Sequence, residues 1–273
     1  MIALNRIVVP AFLALLLLSA TPFLRAQGPP FQTDDPVPVD LHNYEFYVFG
    51  AVAAAPDAVD TAGPAFEFNW GAIPNIQLHV VLPFGLDIPK NPTGPNDPSH
   101  FGLTDMEFGV KVAIIKQGKL YPQIGIFPMI EAPTGSADKG LGAGQTWYKL
   151  PLWLYKDIGP WTLDGGAGYQ FTPHDDSASF TYGGFLLKRK LNERFDAVAE
   201  VFAHGGSSST LIDVGSYWHI KSPGWQILFS YGHSIAGETE HYGYLGLYKT
   251  WGKSPTDSAP DHPMLIRALS RPR

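Results

Sequence analysis

The chain has 273 residues, no cysteine, 29 glycines, 25 prolines and a formal net charge of −6. The lack of cysteine excludes disulfide scaffolds, cysteine-ligated metal centres and thiol catalysis. The negative charge argues against a nucleic-acid binder. The prolines are spread along the chain and argue against a mainly helical fold, because each lacks an amide donor and fixes φ.

Residues 1–26 have the features of a cleaved signal peptide. Arg6 supplies a positive charge, an uncharged run occupies 7–18, and a smaller, more polar stretch ends at Ala26. The run is shorter than the roughly 20 apolar residues that a bilayer-spanning helix needs. A retained anchor helix is the alternative. The sequence therefore predicts an exported protein whose mature part begins with a Pro-rich segment, residues 27–40, called the leader below.

Segments of about ten residues follow the leader, each alternating apolar and polar side chains and ending at Gly, Pro, Asn or Asp, as the strands of an outer-membrane barrel do. Phe108 and Val110 share one face of such a segment, whereas Glu107 and Lys111 share the other, because side chains alternate along a strand. The sequence predicts twelve strands: 41–54, 65–71, 76–87, 102–116, 120–132, 146–157, 161–172, 179–191, 195–204, 210–220, 225–231 and 240–251.

The predicted connections alternate in length. Those after even-numbered strands are short, such as Pro74-Asn75, Gln117-Gly118-Lys119 and Gly159-Pro160, whereas 55–63 and 88–101 after odd-numbered strands are long. Outer-membrane barrels have short periplasmic turns, longer extracellular loops and aromatic girdles at both interfaces. The predicted girdle residues are Trp70, Trp147, Trp153, Trp161, Trp218, Trp225, Trp251, Tyr44, Tyr121, Tyr148, Tyr155, Tyr217 and Tyr248.

These features predict an all-β fold, an up-and-down antiparallel transmembrane β-barrel of about 12 strands in the bacterial outer membrane. The barrel would cover residues 41–251, and a C-terminal tail would cover 252–273. The alternation by itself does not say which face points inward. A soluble, exported lipid-binding barrel, with its apolar face inside, and a purely structural barrel are the alternatives.

The polar face of the predicted strands would line the lumen and set its selectivity. Its acids outnumber its bases, which favours cations or neutral solutes if the lumen is open. A barrel of this size lies between the filled eight-stranded and the open sixteen-stranded kinds, so cross-strand charge pairing that closes the barrel is the other reading. The predicted lumen-lining residues are Glu67, Asn69, Gln77, His79, Asp105, Glu107, Lys111, Gln123, Glu131, Lys149, Asp164, Gln170, Arg189, Asp196, Glu200, His204 and Gln226.

Three further features of the sequence are candidate functional sites. The glycine-rich loop 133–145 lacks the ending of a phosphate-binding loop and is either a flexible extracellular loop or one that folds over the pore mouth. The clusters 174–176 and 233–241 contain His, Asp and Glu without a metal-ligand spacing. Ser234 beside His233, with Glu238 or Glu240, is the constellation that an outer-membrane lipid-modifying enzyme would need, but the chain has no Gly-x-Ser-x-Gly elbow. We predict no catalytic residue, cofactor or metal.

The chain resembles an outer-membrane transporter family associated with the meta-pathway of phenol degradation. The resemblance covers roughly residues 33–251 and rests on short motifs, of which the Glu-x-Pro-Thr-Gly element is the most distinctive. The motifs are Gly102-Leu-Thr-Asp105 with Gly109-Val-Lys111, Glu131-Ala-Pro133-Thr134-Gly135, Gly165-Gly-Ala-Gly168-Tyr169 and Val81-Leu-Pro83-Phe84. The resemblance implies a barrel fold and uptake of small hydrophobic compounds, with phenol itself not implied.

The function predicted from the sequence is a non-enzymatic barrel that passes or binds small, hydrophobic or aromatic solutes. Its predicted partners are outer-membrane lipid, lipopolysaccharide and a small-molecule solute, with no nucleic acid. The oligomeric state, the solute and the role of the tail after Trp251 are left open.

Overall fold

The computed structural model describes residues 30–56, 58–89, 99–173, 175–205 and 209–252, so the predicted signal peptide and almost all of the predicted tail lie outside it. The described chain forms strands and two short 3₁₀ turns, Ala137–Lys139 and Asp176–Ala178. The strands are β1 Asn43–Ala54, β2 Ala58–Ile73, β3 Ile76–Pro89, β4 His100–Leu103, β5 Met106–Ile115, β6 Gln123–Ile126, β7 Met129–Ala132, β8 Trp147–Ile158, β9 Trp161–Phe171, β10 Phe180–Lys190, β11 Phe195–His204, β12 Ser209–His219, β13 Trp225–Ala236 and β14 His241–Gly252.

The strands close into one antiparallel barrel. Strands β4 and β5 both pair with β3, and β6 and β7 both lie between β5 and β8, so each pair is one interrupted transmembrane strand. The first and last strands pair from Asn43↔Gly252 to Ala54↔His241, which closes the circle. The barrel therefore has twelve strands, and the predicted fold class is confirmed.

Proline accounts for one of the two interruptions. Pro128 separates β6 from β7 and has no N–H to donate. Its carbonyl still accepts from the Val110 amide at 3.0 Å, and the Phe127 amide donates to the Pro151 carbonyl at 3.4 Å. The wall is therefore continuous across the break, with a local loss of the regular ladder.

Two predicted connections are wrong in length. The connection predicted at 55–63 covers only 55–57 in the structure, because β2 begins at Ala58 and not at Ala65. A register shift between Ala62 and Ala65 accommodates Pro64 inside this strand, as bulges do. The link after β5 runs over 116–122 and is longer than the predicted three-residue turn.

The outer surface of the barrel is apolar, and most polar strand residues point inward. Leu78, Val110 and Val214 are exposed on the outside, whereas their polar neighbours in sequence are buried. This orientation is the reverse of a soluble barrel and fits a surface in contact with lipid. Among the residues that the structure describes, no helix has the length and apolarity required to cross a membrane.

The aromatic residues divide between the two faces. Tyr44 stacks on Trp70 and Trp251 at one end of the outer surface, as expected for a girdle. Trp147 and Trp153, by contrast, are only 3% and 2% exposed and lie inside the barrel. Three of the predicted girdle tyrosines also have inward strand positions: Tyr155, Tyr217 and Tyr248. For these five residues the girdle prediction is wrong, since their strand parity turns them to the lumen.

Candidate functional site: the lumen

The described part of the leader, residues 30–40, lies inside the barrel. Pro30, Phe31, Thr33 and Pro36 are buried. Phe31 packs against Leu186 and Val198 of the wall and meets the Tyr217 ring edge to face, with ring centroids 6.2 Å apart. The leader is therefore part of the lumen and occupies much of its cross-section.

Hydrogen bonds fix the leader backbone along its length. The Glu200 carboxylate accepts from the amides of Gln32, at 3.1 Å, and Thr33. Ser230 donates to the Pro30 carbonyl at 2.7 Å. Further along, two wall glutamines contact the leader, since Gln123 donates to the Pro36 carbonyl at 2.7 Å and Gln77 accepts from the Val39 amide at 2.9 Å. Backbone donors and acceptors that would otherwise be unpaired in the interior are thus satisfied.

One lysine joins the leader to the wall by charge. The Lys111 ammonium lies 2.8 Å from Asp34 Oδ1 and 3.6 Å from Asp35 Oδ1, and 4.9 Å from the centroid of the Phe127 ring. Its side chain is 8% exposed. A buried ammonium requires such partners, because desolvation of an unpaired charge is costly.

A buried polar network crosses β2, β3 and β5. Asn69 donates to Glu67 Oε1 at 2.8 Å. His79 joins Asn69 Oδ1, at 2.7 Å from Nδ1, to Glu107 Oε1, at 3.1 Å from Nε2. Lys149 approaches the other oxygen of Glu107 at 3.7 Å. Cross-strand pairing of this kind fills the middle of the barrel.

The structure puts nearly all of the predicted lumen-lining residues at inward positions. His204 is half-buried and packs on Phe180, and Gln226 lines the cavity described below. The others are buried inside: Glu67, Asn69, Gln77, His79, Asp105, Glu107, Lys111, Gln123, Glu131, Lys149, Asp164, Gln170, Asp196 and Glu200.

The predicted orientation of Arg189 is wrong. Its guanidinium lies on the outer face of β10, 4.8 Å from the centroid of the Trp161 ring, and the side chain is exposed. Its neighbour Lys188 points inward instead, over the Tyr217 ring at 5.5 Å. Three basic residues in succession at 188–190 do not by themselves reveal which of them faces the lumen.

Sequence reasoning missed the aromatic residues of the interior. Phe127, Trp153, Phe180, Tyr182 and Phe202 form a buried cluster on one side of the barrel. A second cluster on the other side contains Phe49, Val81, Leu228, Tyr244 and Tyr248. Strand parity is a signal that identifies part of this interior aromatic surface. Trp147 and Trp153 have the same parity in β8 as Lys149, for which the sequence predicts an inward position.

A cavity of about 270 Å³ remains between the leader and the wall. Leader residues Phe31, Asp34 and Asp35 border it on one side. Aromatic, carboxylate and basic side chains from strands around the barrel border it on the others. The interior is therefore neither a wide open channel nor completely filled.

Two of the motifs that carry the family resemblance meet at the rim of the barrel. Asp105 lies between β4 and β5, and its oxygens accept from the amides of Gly135, at 2.9 Å, and Ala143, at 2.6 Å. The Thr134 hydroxyl donates to the Thr104 carbonyl at 3.0 Å and accepts from the Met106 amide at 3.0 Å.

These contacts hold loop 133–145 against the inner rim. Leu141 at its tip is buried, and a Cβ on Gly142 would lie 2.4 Å from Asp105 Oδ1. A Cβ on Gly140, whose φ is 67°, would lie 2.8 Å from the Asp87 carboxylate. Of the two readings of this loop, the structure supports one that folds over the rim.

The candidate enzyme constellation is not assembled. Ser234 points inward and accepts from the Glu240 amide at 2.8 Å. His233 is exposed on the opposite face, where its ring stacks on His241 at 4.5 Å. Neighbouring strand residues point to opposite faces, so the hydroxyl and the imidazole are not brought into contact.

No group of three or more His, Asp or Glu side chains suited to a metal ion occurs in the described ranges. The candidate cluster at 174–176 falls partly outside these ranges, because His174 is not described.

Comparison with solved structures gives the same fold. The COG4313 outer membrane channel from Pseudomonas putida F1 matches with a TM-score of 0.63 at 13% identity, over 80% of this chain and 98% of that chain. The KdgM porin in complex with disordered oligogalacturonate matches with a TM-score of 0.53 at 7% identity, over 75% of this chain and 99% of that chain. No protein-family model and no characterised protein matches by sequence. The chain thus has the fold of an outer-membrane barrel, which agrees with the predicted location.

Proposed function

We propose that this barrel passes small hydrophobic or aromatic solutes across the outer membrane. The observation that carries the proposal is the aromatic lining of the lumen. Phe180 and Tyr182 stand at the start of β10 and Phe202 near the end of β11, so all three lie toward the end of the barrel with the longer connections. An apolar solute that enters from that side meets aromatic surface before it meets the leader.

In this proposal the residues of the lumen act on the solute in two ways. The aromatic clusters provide apolar contact, and the polar network and the leader limit the size of what passes. Glu200, which holds the leader amides of Gln32 and Thr33, keeps the narrow state in place. The leader must shift for a solute larger than the cavity to pass.

The outer surface fits the same function. Its apolar strand residues are exposed, and we propose that they contact outer-membrane lipid and, on the side of the longer loops, lipopolysaccharide. The matched porin was solved with an oligogalacturonate, a polar solute. The aromatic walls of the present lumen favour a different solute class. The resemblance to the phenol-associated transporter family is in keeping with this choice.

A matched pair of solutes tests the proposal. Liposome swelling with purified protein should be faster for phenyl β-glucoside than for methyl β-glucoside, although the phenyl compound is larger. Tyr182→Leu should reduce this preference, because Tyr182 belongs to the inner aromatic cluster. Tyr169→Leu, on the outer surface where Tyr169 is 48% exposed, is the matched control and should leave it unchanged.

The opposite order of rates, or equal rates, would refute a preference for aromatic solutes. Swelling no faster than in protein-free liposomes for either sugar would refute transport and leave a structural barrel. Heat-modifiable migration in detergent gels verifies that each variant is folded before it is compared.

A further inference from the structure

The cavity between leader and wall has an unusual charge balance. Seven carboxylates border it, together with two lysines and two histidines. Two of the carboxylates, Asp34 and Asp35, are already occupied by Lys111. With both histidines protonated, and with Lys149 counted because it pairs with Glu107 from outside the lining, the carboxylates outnumber the cationic side chains by two. Buried carboxylates in such excess are stabilised by protonation or by a bound cation, because unpaired charge in a low dielectric is costly.

Three of these carboxylates also have an unused oxygen. Glu67 Oε2, Asp164 Oδ1 and Asp196 Oδ1 are buried and have no hydrogen-bond partner among the described residues. Their residues are 4%, 6% and 8% exposed, and all three border the cavity. Each of these three side chains therefore has an acceptor oxygen that no other described protein group satisfies.

Two tyrosine rings stand beside another carboxylate of this cavity, Glu45. Tyr47 and Tyr248 lie with ring centroids 4.6 Å apart, and both hydroxyls donate to Glu45, at 3.3 Å and 2.7 Å. The ring faces are suited to a cation, because the ring quadrupole attracts positive charge. The protein's own ammonium groups use this chemistry at the same cavity, since Lys111 lies over Phe127 and Lys188 over Tyr217.

We propose that this cavity is a binding site for a small aromatic or alkyl ammonium ion. The cationic head lies beside Glu45 and Glu67 of the neighbouring strands β1 and β2, and the faces of Tyr47 and Tyr248 contact its methyl or methylene groups. The apolar remainder extends toward the aromatic walls. This deepens the proposed function and rests on it, because it names the solute class that the lower lumen selects from those the aromatic walls admit.

An alkylammonium ligand fits both the excess of carboxylates and the aromatic rings that border this cavity. Carboxylates with aromatic rings recognise alkylammonium ions without a metal-like ligand set, and no metal-binding cluster occurs among the described residues. A neutral aromatic solute would leave the excess carboxylate charge uncompensated. An aromatic anion would be repelled by it.

Isothermal titration calorimetry of the purified, full-length barrel in detergent provides the test, with benzyltrimethylammonium as the probe and benzenesulfonate as the anion of similar shape. Both ions keep their charge at every pH. The ammonium ion should bind saturably and the sulfonate should not. Glu67→Gln should weaken binding about fivefold to tenfold, because one carboxylate charge beside Tyr47 is lost without a change of shape. Glu193→Gln, at a turn glutamate whose side chain is 90% exposed, should bind as the wild type does.

A second pair of variants separates the ring from the hydroxyl. Tyr47→Phe retains a ring face and should retain most of the affinity, whereas Tyr47→Leu removes the face and should weaken binding at least about fivefold. Equal binding of both ions, no binding of the ammonium ion, or equal loss in Glu67→Gln and Glu193→Gln would overturn the proposal. A negative titration would not change the result of the swelling assay with the glucosides. A negative swelling assay would not change a measured affinity for the ammonium ion, so the two proposals can be refuted separately.

Discussion

Replacing Asp105 by Ala should release loop 133–145 from the rim of the barrel. The carboxylate accepts two backbone N–H groups, from Gly135 at 2.9 Å and from Ala143 at 2.6 Å. Both contacts disappear in Asp105→Ala, and nothing else in the described contacts replaces them as acceptor. Thr134 still holds the beginning of the loop through Thr104 and Met106, so the part around Ala143 should open most.

The magnitude follows from the two bonds. A hydrogen bond to a charged group contributes about 1.5–3 kcal/mol. Loss of only one bond at the lower figure already raises the open population roughly tenfold. The loss of both should exceed that, although the burial of Leu141 continues to favour the closed loop.

Limited trypsin digestion of the barrel in detergent, where both ends are accessible, measures this opening, because Lys139 lies in the loop and is exposed. Cleavage of a native loop tracks its opening equilibrium when opening is fast. Cleavage after Lys139 should accelerate at least about tenfold in Asp105→Ala. Cleavage after Lys119, in the connection at the other end of the barrel, is the internal reference. Asp176→Ala, an exposed acid in the neighbouring loop, is the matched control.

A rate at Lys139 within twofold of the wild type would refute the view that Asp105 fastens this loop. Equal acceleration at Lys119 would mean a general loss of stability and would refute it as well.

Three more outcomes are expected. Val110→Arg, on the outer face near the middle of β5, should cost about 2–4 kcal/mol of folding free energy in lipid vesicles, whereas Val110→Leu should cost little; equal urea midpoints for the two would contradict a lipid-facing surface. Glu200→Ala removes the acceptor for two leader amides and should raise single-channel conductance in planar bilayers; an unchanged conductance would mean that the leader is held elsewhere. Burial raises the pKa of Glu240, so the folded connection should lose stability as pH rises from the unfolded value through the raised folded pKa. Amide protection factors in 237–241, which are corrected for the intrinsic base catalysis of exchange, should fall over that range, and Glu240→Gln should abolish this fall.

The alternation of side chains allowed much of the fold to be predicted. A period of two assigns residues of one strand to two faces without any knowledge of their neighbours. It therefore predicts twelve strands and an inward orientation of Glu67, His79 and Lys111, which are buried inside the barrel in the structure. It did not locate the start of β2, because the bulge between Ala62 and Ala65 interrupts the period there.

The alternation does not show which residues face inward where neighbouring residues are of the same chemical type. Lys188 and Arg189 are both basic, and the register of β10 with β9 sets Arg189 opposite Trp161 and turns it outward. Trp147 and Trp153 fit either a membrane interface or a filled interior by composition. Their burial follows from the parity of β8 together with the closed barrel around them.

The sequence by itself determined the strand content, the closed barrel class and most of the inward polar set, because these depend on local periodicity. Only the tertiary structure decided that the leader enters the lumen, that Asp105 meets Gly135 and Ala143, and that aromatic rings and unused carboxylate oxygens border one cavity. Those features join residues far apart in the chain. Closure of the barrel brings them within reach of one another, and the need to satisfy buried polar groups then fixes which of them pair.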